Sequence, residues 1–221
     1  MDGNGRWAKA RNLPRIAGHK VGADSLKEVV KACAEVGVKY LTVYAFSTEN
    51  WQRPADEVDF LMGLFSRTLD GEVRDLARNN VRLRFLGRLD RFSPELKEKM
   101  QKAMQDLSKN TGLNLQVMVN YGGRAEITDA LAVILKEDPK EITEDLISRH
   151  LYTKDIPDPD LLIRTASEMR ISNFLLWQIA YAEIHVTPIL WPDFRRAELL
   201  AAIEDFGKRE RKFGKTSEQI K

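Results

Sequence analysis

Short polar motifs stand where apolar runs of strand length end, and helical patterns fill the intervals between those runs. This alternation constrains the fold more than any other feature. The motifs are Met1-Asp2-Gly3-Asn4-Gly5-Arg6-Trp7, Ser47-Thr48-Glu49-Asn50-Trp51, Asn120-Tyr121-Gly122-Gly123-Arg124, and Arg164-Thr165 leading to Arg170-Ile171-Ser172-Asn173. Strands separated by helices pair in parallel through crossover connections. In such a sheet, ligands bind beyond the carboxyl ends of the strands. Glycines, arginines, hydroxyls and a carboxylate all fall at that edge, a combination suited to a phosphorylated substrate and a metal ion.

The periodicity predicts an α/β chain, a single domain over 1–221 with a mainly parallel β-sheet flanked by helices. Helical spacing covers 20–36, with Val21, Leu26, Val29, Val30, Cys33 and Val36 on one side and Gly37 as a stop. A strand is expected over 40–46, a helix over 55–79 and an alternating, half-buried strand over 81–85. Ser93-Pro94-Glu95 starts a helix that runs to about Asn110. Strands over 113–119, 161–163 and 183–187 and helices over 124–137, from 143–145, 172–180 and 193–212 complete the pattern. The apolar side of 55–79 is wide, taking in Phe60, Leu61, Met62, Leu64 and Phe65. Such a face is usually core, and it also suits the wall of a tunnel for a hydrocarbon tail.

Composition narrows the classes. A net charge of +2 on 221 residues gives no electrostatic case for nucleic acid. The single cysteine, Cys33, allows no intrachain disulfide and reads as a small buried residue. No run approaches the ~20 apolar residues of a membrane span, and no signal peptide opens the sequence. A cytoplasmic protein is expected. There is no CxxC, HExxH or G-x-S-x-G pattern, so zinc and serine-nucleophile chemistry are disfavoured, and His150 and His185 are isolated.

Read as chemistry, Gly3-Asn4-Gly5-Arg6 is a Gly-rich turn whose N–H groups and arginine suit phosphate, or else an ordinary turn. Arg15 and His19 flank Gly18 just before the first long helix, where anions are favoured. Ser47 and Asn50 follow a strand and can position a water or a phosphate oxygen, with Trp51 as an apolar wall and Arg53 as a further cation. A capped turn with Trp51 in the core is the plainer alternative. Arg164, Arg170 and Ser172 can clamp a diphosphate, or the arginines can pair with Glu168 at the surface. Asp2 and Glu183 supply two carboxylates, and Mg²⁺ is typically held by one or two carboxylates plus substrate phosphates.

These motifs, together with Arg15-Ile16-Ala17-Gly18-His19-Lys20, Tyr44-Ala45-Phe46 running into Ser47, and Leu190-Trp191-Pro192-Asp193-Phe194, resemble the cis-prenyltransferase family, and within it the bacterial undecaprenyl diphosphate synthases. The resemblance spans nearly the whole chain. It implies a homodimer that extends farnesyl diphosphate with isopentenyl diphosphate through new cis double bonds. The product would be a lipid carrier for cell-wall glycans, made at the inner membrane face with peripheral contact only. Asp2 corresponds to the essential aspartate acting with Mg²⁺, and Glu183 to a residue that helps hold the metal. Asn4, Gly5, Arg6, Arg15 and His19 correspond to the allylic diphosphate site, Gly3 and Trp7 of the same motif to further substrate-binding residues, and Arg164, Arg170 and Ser172 to the isopentenyl diphosphate site. Ser47, Asn50, Trp51 and Arg53 fall near the reacting ends. The base that removes the proton is left open between Asp2, a water held by Ser47 and Asn50, and the diphosphate itself.

The sequence departs from the family pattern in places. The strand expected before Asp2 is absent, so Asp2 is expected to be poorly tied down. Ala166-Ser167 stands where Ser-Gly is usual, which strains the loop if positive φ is needed. Ala17 replaces a larger residue, His185 a common tyrosine, and Gly214-Lys215 a glycine pair. The tail from Arg211 to Gly214 resembles a segment that reaches the partner subunit's site. Ala45 and Leu113 are expected near the tunnel without plugging it, which implies a long product. Irregular coupling of small allylic units and a non-catalytic, lipid-binding subunit are the rival readings.

Overall fold

The computed structural model describes residues 1–212 and 216–219; Phe213, Gly214 and Lys215 of the tail motif lie outside these. Helices α1 (Asn4–Lys9) and α2 (Arg15–Glu35) precede β1 (Tyr40–Ser47), and a 3-10 turn (Thr48–Gln52) leads to α3 (Ala55–Arg78). There follow β2 (Arg82–Leu86), α4 (Pro94–Asp106), β3 (Asn114–Tyr121), α5 (Gly123–Glu137), α6 (Glu144–His150), β4 (Leu161–Arg164), β5 (Glu183–Val186) and α7 (Arg196–Gly207).

Among the described residues, the strands form a three-stranded sheet in the order β1-β3-β2 and a separate β4-β5 pair, and every pairing is parallel. The expected α/β class with parallel strands and flanking helices is what forms. β3 is central, and every residue from Leu115 to Tyr121 is buried. That explains its nearly continuous apolar run, since a strand covered on both faces shows no alternation. A second cluster of Tyr121, Met118, Phe174 and Leu175 ties this sheet to the segment after β4. Tyr44 stacks on Phe174 there, with ring centroids 4.6 Å apart.

The wide face of α3 is mostly wall rather than packed core. Of its apolar residues only Val58 and Leu69 are fully buried. Leu61, Met62 and Phe65 instead line a cavity of about 380 Å³ between α3, α2 and the sheet. Lining residues run along α2 from His19 to Lys31, roughly 18 Å of helix at ~1.5 Å per residue. The β1–β3 register slips between Tyr44 and Phe46, and Ala45, at that irregularity, lines the cavity. Leu113 does not line it; that residue is buried in the core just before β3, and Leu115 and Val117 face the cavity instead.

Four expectations change. The Gly-rich segment is a helix, α1, because burying Trp7 and Ala8 against the body of the protein favours it over an open turn. Helix α2 begins at Arg15, which puts Arg15 and His19 inside its first two turns rather than before it. Residues 172–180 form turns, not a helix: Ser172, Asn173 and Leu175 all have left-handed backbones, at φ 49, 62 and 45, which a right-handed helix excludes. Gly123 N–H donates to the Asn173 carbonyl at 2.7 Å, which fixes that path. The last helix is also shorter than 193–212, ending at Gly207.

Candidate active site

The loops after β1, β3 and β4 meet at one edge, as the strand-end argument requires. Asn173 joins all three, its side chain donating to Glu49 Oε1 at 3.0 Å and accepting from Arg124 N–H at 2.9 Å. Asp2 sits beside them and is firmly held, contrary to expectation. Its N–H donates to Thr165 Oγ1 at 2.8 Å, and its carbonyl accepts from Thr165 Oγ1 at 2.8 Å and from Trp191 N–H at 2.9 Å. Gly3 makes the turn into α1 possible, with φ of 107.

The Asp2 carboxylate accepts from Gly3 N–H at 2.7 Å and from Arg164 Nη2 at 3.2 Å, and Arg6 Nη2 lies 3.6 Å away. Partial burial works against its ionisation. The Arg164 and Gly3 hydrogen bonds and the two arginine charges outweigh that and hold the carboxyl below the usual aspartate range. Asp2 is therefore an anion with 38% of its side chain still exposed, open to a further cation.

Arg164 and Ser172 do come together. Arg164 Nη1 donates to Ser172 Oγ at 3.1 Å and to the Arg170 carbonyl, while its buried Nε has no partner among the described residues. Arg170 pairs with Glu168, the plainer alternative read from the sequence. Glu168 also takes Arg6 Nη2 at 2.8 Å, so it bridges the two expected diphosphate groups. Sequence reading gave Glu168 only as a surface partner and missed Thr165 as the clamp on Asp2.

A second cluster forms where α2 meets α3. Glu57 accepts from Arg15 Nε at 3.2 Å and from Arg53 Nη1 at 3.1 Å. His19 Nε2 lies 3.4 Å from Glu57 Oε1 without hydrogen-bond alignment, and this buried atom has no hydrogen-bond partner among the described residues. Burial lowers the His19 pKa first, and the Arg53 and Arg15 charges add to this against the opposing pull of Glu57. His19, Met1 and Trp191 line the near end of the apolar cavity. The cation-rich edge and the apolar cavity are thus one continuous feature.

Other expected residues take supporting places. Trp7 is buried, and its indole donates to Asp193 Oδ1 at 2.7 Å, which anchors α1. Trp51 donates to Asn120 Oδ1 at 2.7 Å and packs edge-on to Phe46, a cavity residue, so it backs the wall. Asn50 Oδ1 accepts from Ser47 N–H at 3.1 Å, which is the capped-turn alternative. Asn4 packs against α2. The structure does not bring Glu183 to Asp2. Glu183 pairs with Leu161 at the start of the β4–β5 ladder, and Arg164, the Asp2 partner, is at its other end. Three residues of strand are about 10 Å. Glu183 instead pairs with Arg209 at 3.0 Å. Among the described residues, no group of three or more His, Cys, Asp or Glu side chains is placed to hold a metal. The Cys33 thiol is buried, and burial pushes its pKa up to about 12, so it is inert.

The altered Ala166-Ser167 loop does require positive φ, at 68 and 58. An L-residue there costs on the order of 1 kcal/mol or more. Ser167→Gly is expected to stabilise the fold by roughly 0.5–1 kcal/mol after the glycine's greater unfolded-state entropy is subtracted. Urea unfolding midpoints check this, and an unchanged or lower midpoint would count against strain at Ser167.

Comparison with known proteins places this arrangement in a class. Residues 1–214 match the family described as "Putative undecaprenyl diphosphate synthase", a prenyltransferase family. The chain belongs to this family, and it is a cis-prenyltransferase that elongates prenyl chains. An isoprenyl transferase of Neisseria gonorrhoeae is 56% identical over 220 residues, covering 100% of this chain and 89% of that protein. One from Streptococcus pyogenes is 51% identical over 225 residues, covering 97% and 90%. Among solved structures, lavandulyl diphosphate synthase from Lavandula x intermedia, in complex with dimethylallyl diphosphate, superposes with a TM-score of 0.94. It is 34% identical and covers 97% of this chain and 95% of its own. A Campylobacter jejuni protein described as a probable undecaprenyl diphosphate synthase gives a TM-score of 0.81 at 35% identity, covering 89% and 93%.

Proposed function

We propose that the protein condenses isopentenyl diphosphate units onto farnesyl diphosphate, with Mg²⁺, to give a long polyprenyl diphosphate. Undecaprenyl diphosphate is the product we assign, as a lipid carrier for cell-wall glycans. The observation that carries this reading is the joining of an arginine-rich edge to an apolar cavity, which matches the head and tail of a prenyl diphosphate. Arg6, Arg15, His19 and Arg53 surround the allylic diphosphate in this reading, beside Gly3, Asn4 and Gly5. Arg164, Arg170 and Ser172 take the isopentenyl diphosphate.

The residues fit a divalent cation. Asp2 is ionised and half open, and a hard cation needs only one or two carboxylates once substrate phosphates are present. When bound, Mg²⁺ supplies charge neutralisation at the diphosphate leaving group. Asp2 is the residue that would hold it. The arginines stabilise the same negative charge as the allylic C–O bond breaks. The apolar wall of Leu61, Met62 and Phe65 keeps water from the carbon that becomes positive. The terminal methylene carbon of the isopentenyl unit bonds to that carbon as the diphosphate leaves, and proton loss from the isopentenyl unit, to Asp2, a water held by Ser47 and Asn50, or the diphosphate, sets the new double bond.

We further propose a homodimer in the cytoplasm whose membrane contact is peripheral and comes through its lipid product. Among the described residues, no helix is long and apolar enough to cross a membrane. The lavender neighbour gives irregular coupling of small allylic units a specific footing, and the 51–56% identity to isoprenyl transferases weighs against it.

The test is incubation of the purified protein with Mg²⁺, farnesyl diphosphate and labelled isopentenyl diphosphate, with products resolved by length. A ladder ending in a long species is expected. A single coupled product from dimethylallyl diphosphate alone would establish irregular coupling instead. Ala45→Leu is expected to shift the ladder to shorter products, because Ala45 lines the cavity at the β1 irregularity. An unchanged length distribution would show that the growing chain does not pass Ala45.

A further inference from the structure

Glu57 is a buried carboxylate, its side chain 10% exposed, in the first turn of an otherwise amphipathic helix. A charge so placed is retained only when paired. Its partners are three residues that the proposed allylic site uses. Arg15 gives it the Nε and Nη2 edge, at 3.2 and 3.4 Å, and Arg53 gives it Nη1 at 3.1 Å. His19 Nε2 stands 3.4 Å away. The cations are layered outside it, with Arg15 63% and Arg53 33% exposed.

The geometry of Arg15 shows what this pairing does. A guanidinium has five donors in a rigid fork. Glu57 takes one edge of the fork, and the rest lies against Gly5, where a Cβ atom would be 3.0 Å from Cζ and 3.0 Å from Nη1. Arg15 Nη2 would be 3.3 Å from the same point, so the guanidinium lies beside the α1 segment that carries Gly5. Left unpaired, a long arginine would lose rotamer freedom only when substrate arrived, at the expense of affinity.

We propose that Glu57 is a positioning residue for the allylic diphosphate: it pins the inner edges of Arg15 and Arg53, beside His19, so that their outer edges face the diphosphate. This rests on the proposed use of Arg15, His19 and Arg53 at that subsite. Glu57 touches no substrate itself. It acts by fixing the donors before binding, and it does not reach the Arg164–Arg170–Ser172 group.

The intact protein is titrated calorimetrically with farnesyl diphosphate in the absence of isopentenyl diphosphate, so that no turnover occurs. Steady-state KM is measured for both substrates. Glu57→Gln keeps the size and removes the charge. It is expected to raise Kd and KM for farnesyl diphosphate about tenfold or more, as misplaced donors do. KM for isopentenyl diphosphate stays within about twofold. Glu57→Asp, which restores the charge, recovers part of the loss, and it also serves if the glutamine variant does not fold. Unchanged farnesyl diphosphate binding, or equal rises in both KM values, would overturn the proposal. Arg15→Gln separates the two levels. If that variant binds farnesyl diphosphate like the parent, the subsite reading falls. If it weakens binding while Glu57→Gln does not, only the role of Glu57 falls.

Discussion

Asp2→Asn is expected to lower kcat by about a thousandfold, the equivalent of some 4 kcal/mol of transition-state charge stabilisation at ~1.4 kcal/mol per tenfold. The substitution removes charge and little else. Asparagine still offers an oxygen to Gly3 N–H, and the anchoring of residue 2 runs through its backbone to Thr165 and Trp191. The fold is therefore expected to survive, with an unchanged far-ultraviolet spectrum. Two things are lost together. The carboxylate open to a divalent cation disappears, and Arg164, whose side chain is only 16% exposed, loses its counter-charge. Single-turnover measurement with labelled isopentenyl diphosphate reads the chemical step directly. A variant within about tenfold of the parent would remove Asp2 from the catalytic machinery.

The layered fold was legible because its strands carry a strong local signal. Tyr40 to Ser47 and Asn114 to Tyr121 are dense in β-branched and aromatic residues, and the helices between them keep one apolar face. The failures have particular causes. Gly3 and Gly5 read as a turn because glycine is a poor helix former, yet the burial of Trp7, bonded to the distant Asp193, decides in favour of α1. The run after Ser172 has the composition of a helix. Tertiary bonds to Gly123, Arg124 and Glu126 hold its backbone elsewhere.

The site was legible where single residues carry chemistry and opaque where pairing decides. Residue type and position singled out Asp2, Arg6, Arg15, His19 and Arg164, and the structure groups Arg6 and Arg164 at Asp2 and Arg15 and His19 at Glu57. Arg170, Ser47 and Asn50 took the plainer structural alternatives in this conformation. Glu183 stands apart from Asp2 within the chain because strand register, which the sequence does not display, puts it at the other end of β5. Glu57 was missed because an acid in a first helical turn is ordinary. A signal was present all the same: Glu57 shares its stripe, at intervals of four, with Leu61 and Phe65, both cavity residues. A charge on an apolar stripe calls for a partner.

Gly18→Ala tests whether the closeness of α1 to α2 matters to chemistry. A Cβ atom at Gly18 would stand 2.0 Å from the Asn4 carbonyl oxygen and 2.7 Å from its carbon. Both are backbone atoms, so no side-chain rotation relieves the clash, and α1 must move away as a unit. Overpacking of this kind costs roughly 1–3 kcal/mol of stability. The functional loss is expected to be larger. Asp2 and Gly3 lead directly into α1 and Arg6 lies on it, so a shift of about 1 Å misplaces the charge, the turn and the guanidinium together, which is worth about a hundredfold in rate. The expected result is a variant that remains folded at 25 °C with kcat/KM down about a hundredfold for both substrates. The joint loss separates it from Glu57→Gln, which is expected to affect the allylic substrate alone. If Gly18→Ala lost stability without losing activity, the position of α1 would be structural only, and Arg6 would have to be removed from the diphosphate site.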